Sequence, residues 1–487
     1  MSASQASETI RIPPAGPVQG VQEDDVLVFR GIPYAQPPVG EGRFAPPRPR
    51  PAWQAVRDCT RPASIAPQLP SRLRSLIGDV EGVQSEDCLS LTVWAPACES
   101  SSPRAVMVWL HGGAYMTGAG AQACYSGNAL ARRGDVIVVS PNFRLGALGF
   151  LHLPGVSEGN LGLLDIALAL QWVQENIAAF GGDPSRVTVF GQSSGASCVR
   201  ALMSMPAAQG LFQRAVLQSA ALGRGDRTPE FATGIGLRYA RALGLDPADR
   251  QGWIEADVDR LLAAQGQVAR SFEMPLGMSQ LPFTPVLDGV AVQDEAHYNW
   301  FAREGGALIV GFNAQEMTAW HSMDPAVQQA TREQALASMT QWLGRSGDDA
   351  CERLAGAHEG EPPAAALCDF YTDELFGRPS LEFAQRMAVR GVRTWAYRFE
   401  WQASGGLQAC HCLELPFVFN NLPQWTGASM LKAVDAAAFE SVANGMQGSW
   451  TAFARNGDPN PEGISVWRLY STEGTVMNWG AAQETDP

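Results

Sequence analysis

Between Arg104 and Gln218 the chain alternates short apolar runs with segments of helical spacing, and no other feature restricts the fold as tightly. Arg104–Leu110 (RAVMVWL) runs into the glycine turn that starts His111-Gly112-Gly113, and Asp135–Ser140 (DVIVVS) is stopped by Pro141. Arg186–Phe190 (RVTVF) and Arg214–Gln218 (RAVLQ) are two more runs of the same kind. From Leu161 to Ile177 the apolar residues Leu164, Ala167, Leu168, Trp172 and Val173 recur at helical spacing, until Gly181-Gly182-Asp183-Pro184 breaks the pattern. Small residues after Gly191 open another helix, running to about Met205 before Pro206. Continuously apolar strands between helices predict an α/β architecture, with a mainly parallel sheet covered on both faces.

Further along, Ala307–Gly311 (ALIVG) and Val392–Glu400 (VRTWAYRFE) read as strands of the same sheet. The stretch between, about 228–390, is richer in helical pattern and loops. It is expected to form cap insertions over the carboxyl edge of the sheet. With no repeats, low-complexity tract or clean linker, residues 1–487 are expected to form one catalytic domain carrying that cap.

Charge and composition narrow the partners. A formal net charge of −14 sets the chain against phosphate backbones and anionic membrane surfaces, so no nucleic-acid or membrane partner is expected. No apolar stretch is long enough for a membrane-spanning helix, and the amino terminus lacks the basic and apolar regions of a signal peptide. Nine cysteines form no dense framework, which predicts free thiols and a cytoplasmic setting. Cys410 and Cys412 form a C-x-C pair without a second cluster, so neither a metal nor a cofactor is expected. Oligomeric state is not legible.

The stretch VFGQSSGAS, Val189–Ser197, holds the motif G-x-S-x-G. With 50 glycines in 487 residues, such a match arises by chance in roughly one chain in three. Context makes it informative: a strand leads in and a small-residue helix leads out, the arrangement of a nucleophile elbow. A turn this sharp forces strained dihedrals on its central residue and leaves no room for side chains two positions away. Only Ser193 has glycine on both sides at that spacing; Ser194 and Ser197 do not.

A serine hydroxyl needs a base. Of six histidines, His111 lies in the HGG turn, and His152, His297, His321 and His358 lack a distinctive frame. His411 follows the strand VRTWAYRFE, in the chain order nucleophile, acid, histidine, and is favoured over these five. Among the intervening acids Glu316 stands out because a short loop links it to ALIVG, at the sheet edge where catalytic groups collect. Asp288 competes, but Val286-Leu287-Asp288-Gly289 reads as a turn. The turn His111–Tyr115 suits backbone donors for a developing oxyanion, and the amide of Ser194, next after the nucleophile, is expected to complete them.

These motifs, with others, resemble the type-B carboxylesterases of bacterial type, the α/β-hydrolase family that also contains the cholinesterases. Phe29–Ala35 with Pro37–Gly40 and Arg43-Phe44 is similar to the family's F-x-GIPYA-x-PPVG-x-x-RF. Glu86–Leu89 with Trp94–Pro96, Phe180–Pro184 through Gly195, and Phe453–Asn460 resemble its later signatures, so the likeness spans essentially the whole chain. The resemblance implies an α/β-hydrolase fold and a serine carboxylic-ester hydrolase. Ser193 matches the nucleophile, Glu316 in GFNAQE the acid, and His411 ahead of Glu414-Leu415-Pro416 the base. Gly113, Ala114 and Ser194 fall on the oxyanion donors. Arg43 with Glu86, and Arg144 with Asp165, match ion pairs that are structural.

Departures from the family bear on substrate. Gln192 replaces the usual glutamate before the nucleophile, which removes a negative charge and weakens any preference for cationic esters. Ala114 replaces a glycine and adds a methyl beside the acyl carbon, so esters of tertiary alcohols are expected to react poorly. The loop Gly78–Ser85 lacks the tryptophan that holds quaternary ammonium in cholinesterases, so choline esters are not expected. The partner expected for Cys88 falls near Ala66, which implies that Cys88 is unbridged, with Cys59 the only nearby alternative. Small to medium uncharged esters are the expected substrates. An amidase or carbamate hydrolase using the same triad, and an inactive adhesion homologue, are the alternative readings.

Overall fold

In the computed structural model residues 8–344, 362–461, 466–471 and 474–480 are described; His358 lies outside them. Their core is a twelve-stranded sheet. Seven strands are parallel, in the order Ile137–Pro141, Arg104–Leu110, Gly182–Gln192, Arg214–Gln218, Ala307–Asn313, Arg393–Phe399 and Val476–Trp479. An antiparallel extension, Ser90–Pro96, Val26–Pro33, Val18–Glu23 and Glu8–Arg11, continues from Ile137–Pro141 to one edge. Gly182–Gln192 is central, with Val189 facing Val108 on one side and Ala215 on the other.

The continuous apolar runs are buried on both faces, and successive residues divide between two cores. Val106, Val108, Leu110, Val187, Val189 and Leu217 point into one core, with Leu163, Ile166 and Leu170 of the helix Leu161–Asn176. Met107, Trp109, Phe190 and Val216 point into the other, with Phe439, Met446, Trp450 and Phe453 of the helix Ala436–Asn456. Every residue of Arg104–Leu110 and of Ala307–Asn313 is buried. A third core lies where Phe312 and Met317 meet Val327, Met339, Leu367 and Tyr371 of the helical stretch expected as a cap.

The expected elements appear with shifted ends. The run Arg186–Phe190 extends to Gly182–Gln192 because pairing with Arg104 resumes at Gly182 across an irregularity before Val187. Gly181, at φ 87°, supplies the helix stop. The helix after the serine ends at Met203, and Pro206 starts a separate short turn. Arg43 binds Glu86 at 2.7 and 2.5 Å and also donates to the carbonyls of Trp253, Ile254 and Ala256. Arg144 binds the fully buried Asp165 at 2.8 and 2.6 Å. Both pairs staple loops to helices and stand apart from the serine. Cys59 and Cys88 are buried free thiols.

Candidate active site

Ser193 sits between the strand Gly182–Gln192 and the helix Ser194–Met203, at φ 56° and ψ −125°. A non-glycine residue in that region costs on the order of 1–3 kcal/mol, so its surroundings must hold it there. They do so backbone against backbone. A Cβ on Gly195 would lie 2.1 Å from the Leu110 carbonyl oxygen, and one on Gly191 would lie 2.7 Å from the carbonyl carbon of Gly195. The Ser193 amide donates to the Gln218 carbonyl at 2.8 Å. The two motif glycines therefore let the elbow press onto the end of Arg104–Leu110.

The turn that follows that strand meets the elbow. A Cβ on Gly112 would stand 3.2 Å from the Ser193 Cβ. Gly113, Ala114 and Tyr115 all have positive φ, at 116°, 57° and 61°. Gly113 tolerates no side chain, since its Cβ would come within 2.0 Å of the Thr117 carbonyl. Its own carbonyl accepts from the amides of Met116 and Thr117 at 3.0 Å, which turns the chain over on itself. No acceptor among the described residues takes the amides of Gly113, Ala114 or Ser194. His111 braces the turn, stacked on Phe143 at 4.5 Å with Nδ1 2.8 Å from the Gly112 carbonyl. Burial lowers its pKa to about 4, leaving it neutral and structural.

His411 Nδ1 donates to Glu316 Oε2 at 2.5 Å, and the two are 1% and 0% exposed. The Asn313 amide donates to Glu316 Oε1 at 2.8 Å, and the His411 amide to the Glu316 carbonyl at 3.2 Å. Trp320 and Phe376 pack on the imidazole with ring centres 4.8 and 5.3 Å away. The rival acid, Asp288, caps its own turn: it accepts from the amides of Val290 and Val292 at 2.9 Å and from Asn160 Nδ2 at 2.9 Å. Ser193 and His411 line one cavity of about 1040 Å³. Within it His411 Nε2 bonds Gln192 Nε2 at 3.0 Å, and Ser193 Oγ makes no hydrogen bond among the described residues. An amide nitrogen can only donate, so this contact keeps Nε2 an acceptor and puts the ring proton on Nδ1, toward Glu316.

A strained serine, unclaimed amides beside it and a carboxylate-bound imidazole in the same cavity are the parts that acyl transfer requires. A family model described as the carboxylesterase family matches residues 6–486. The chain belongs to the carboxylesterase family. It is 38% identical over 482 residues to a para-nitrobenzyl esterase of Bacillus subtilis strain 168, covering 97% of this chain and 95% of the relative. A phenmedipham hydrolase of Pseudarthrobacter oxydans is 37% identical over 466 residues, covering 94% and 92%. A crystal structure of a Geobacillus stearothermophilus carboxylesterase superposes with a TM-score of 0.84 at 34% identity, covering 96% of each chain. The protein is accordingly a carboxylic-ester hydrolase of α/β-hydrolase fold.

Near Glu316 and His411 the esterase carries a second buried carboxyl group. Glu414 accepts from Asn313 Nδ2 at 2.7 Å and from Gln218 Nε2 at 3.3 Å, while Gln218 Oε1 accepts from Trp450 Nε1 at 3.0 Å. Burial, followed by the nearby Glu316, raises its pKa to about 7. Sequence reasoning noted Glu414 only as part of a motif, and nothing in the spacing marks its contact with the elbow through Gln218. Gln68 was missed outright: its Oε1 accepts from the Gly118 amide at 2.7 Å and pins the glycine turn from a distant loop. Also missed was a group of arginines in the cavity wall, whose signal lay in Gly223–Arg227, GRGDR, directly after Arg214–Gln218.

Proposed function

We propose that the esterase works through an acyl-enzyme formed on Ser193, with His411 as base and Glu316 as its orienting acid. The Ser193 hydroxyl attacks the ester carbonyl as its proton passes to His411 Nε2, once the Gln192 amide has yielded that position. Negative charge collecting on the carbonyl oxygen meets the amides of Gly113, Ala114 and Ser194. Donors of this kind are each worth on the order of 10²–10³ in rate. Glu316 keeps the ring in the required tautomer and offsets the charge of the imidazolium. The proton then goes to the leaving alkoxide, and water, activated by the same imidazole, releases the acid. The described part of residues 228–390 serves as the cap of this one catalytic domain and supplies much of the substrate wall.

The observation that carries this reading is the 2.5 Å bond between His411 and Glu316, made inside the cavity that exposes the strained Ser193. Covalent labelling by a fluorophosphonate, mapped by mass spectrometry, tests it. The label is expected on Ser193 and is expected to be lost in Ser193→Ala. Labelling at another serine, or undiminished ester turnover by Ser193→Ala, would refute the assignment. Matched ester and anilide substrates should divide strongly in favour of the ester.

A further inference from the structure

The cavity that holds Ser193 is unusually cationic for so acidic a protein. The chain carries a formal net charge of −14, yet five arginines line this cavity against one carboxylate, Asp226, among the described residues. The lone acid is already engaged, because both of its oxygens bind the guanidinium of Arg200. That leaves Arg72, Arg224, Arg227 and Arg270, and none of them forms an ion pair with a described residue. The groups they do touch are neutral. Arg224 Nη1 donates to the Ser279 carbonyl at 3.1 Å, Arg72 Nη1 to the Ser279 hydroxyl at 2.6 Å, and Arg227 lies 4.7 Å above the ring of Phe231.

Partly buried cations without counter-ions are costly to keep, and chains commonly pair or expose them. Here Arg224 and Arg227 are half-buried in the loop that follows the strand Arg214–Gln218. Their pKa values are lowered, first by burial, and that of Arg224, to about 10, also by the neighbouring charges of Arg227 and Arg72. Both remain charged at neutral pH, so an unbalanced positive field stands in the cavity wall. Arg224 and Arg227 line the same cavity as Ser193 and His411, and the helix Ser194–Met203 sets the scale from Ser193 to the residue that anchors their loop. Arg200, which anchors the loop through Asp226, is seven residues on from Ser193, a rise of roughly 10 Å. An aliphatic chain of medium length or a single aromatic ring spans such a distance.

We propose that Arg224 and Arg227, with Arg72 and Arg270 at the rim, form an anion subsite that selects esters bearing a second, ionised carboxyl group. The inference rests on the ester-hydrolase reading and revises its substrate. The expectation of an uncharged ester followed from Gln192 and from the loop Gly78–Ser85, which argue only against cationic esters, and left these arginines out. Guanidinium groups take a carboxylate in paired hydrogen bonds, and the substrate anion would supply the counter-charge that the protein withholds. The scissile ester is neutral; the second carboxylate acts only as a handle and takes no part in bond making.

Two matched pairs test this: p-nitrophenyl hydrogen suberate against its methyl ester, and 4-acetoxybenzoate against methyl 4-acetoxybenzoate. They place the charge on the acyl and the alcohol side respectively. In at least one pair the anion is expected to show a kcat/KM about ten- to a hundredfold above its neutral partner at low salt. That advantage should shrink in 0.5 M sodium chloride, a concentration chosen to screen the field (roughly a 4 Å Debye length). It should also disappear in Arg224→Gln/Arg227→Gln, while turnover of the neutral esters stays within about twofold and shows that the variant is folded. As a readout free of turnover, suberate dianion should slow fluorophosphonate labelling of the native enzyme and not of the double variant. Neutral esters favoured in both pairs, or an anion preference that survives the double substitution, overturns the subsite. Failure to hydrolyse any of the four compounds, with Ser193 unlabelled, would instead strike the hydrolase reading itself.

Discussion

Gln192→Glu puts a carboxylate where the amide now meets the base. The Gln192 Nε2 is 3.0 Å from His411 Nε2, so the new charge would stand about 4 Å from the imidazole. At an effective dielectric constant of about 20, two unit charges at that separation attract by roughly 4 kcal/mol. Water entering from the open side of the cavity reduces this, leaving a shift of about one to three pH units at 1.36 kcal/mol per unit. The direction follows from the state favoured. A negative neighbour stabilises the imidazolium, which cannot accept the serine proton, so a higher pH is needed to free the base. The acid limb of the kcat/KM profile for a neutral ester is therefore expected to move upward by one to three units, with a smaller change on the plateau. The variant should fold, because the side chains are isosteric and the imidazole of His411 offers the new carboxylate a partner. An unmoved acid limb, in a variant that keeps its plateau rate, would show that Gln192 does not reach the working base.

Other expectations follow from the same geometry. Glu316→Gln should lower kcat by about 10⁴-fold with little change in thermal stability, since a neutral amide neither holds the tautomer nor offsets the imidazolium. Glu414→Gln should alter the pH dependence of stability. Glu414 titrates near 7 when folded against 4.5 when free, so native stability falls as pH rises through that window, by roughly 3 kcal/mol in all; denaturant titrations across it should come out flatter in the variant. Ala114→Gly removes a methyl at φ 57° beside the reacting carbon, and turnover of tertiary-alcohol esters relative to primary ones is expected to rise. Gly195→Ala should yield little folded, labelled enzyme, because its methyl would strike the Leu110 carbonyl.

Much of this was legible in the chain itself. Parallel strands buried on both faces leave uninterrupted apolar runs, so Arg104–Leu110, Arg214–Gln218 and Ala307–Asn313 were visible with nearly their true ends. The elbow was visible because steric demand writes glycines on either side of Ser193. The antiparallel strands Val18–Glu23 and Ser90–Pro96 were not read as strands: one is half solvated, and the other lies in a stretch marked by motif residues more than by periodicity. Contacts between distant side chains were not legible either. Nothing local says that Gln68 reaches Gly118, that Gln192 reaches His411, or that Asp226 turns to Arg200 and leaves Arg224 and Arg227 without an ion-pair partner among the described residues.

The Gln218 junction carries a consequence for how this enzyme tolerates change. Its carbonyl holds the Ser193 amide, and its side chain is wedged between Glu414 and Trp450, so the helix Ala436–Asn456, more than two hundred residues downstream, buttresses the serine without lining the cavity. Rebuilding the mouth of the cavity would retune selectivity and spare the reaction. Loosening the helix Ala436–Asn456 would let the reactive bend relax, and the enzyme would lose its chemistry while its mouth stayed intact.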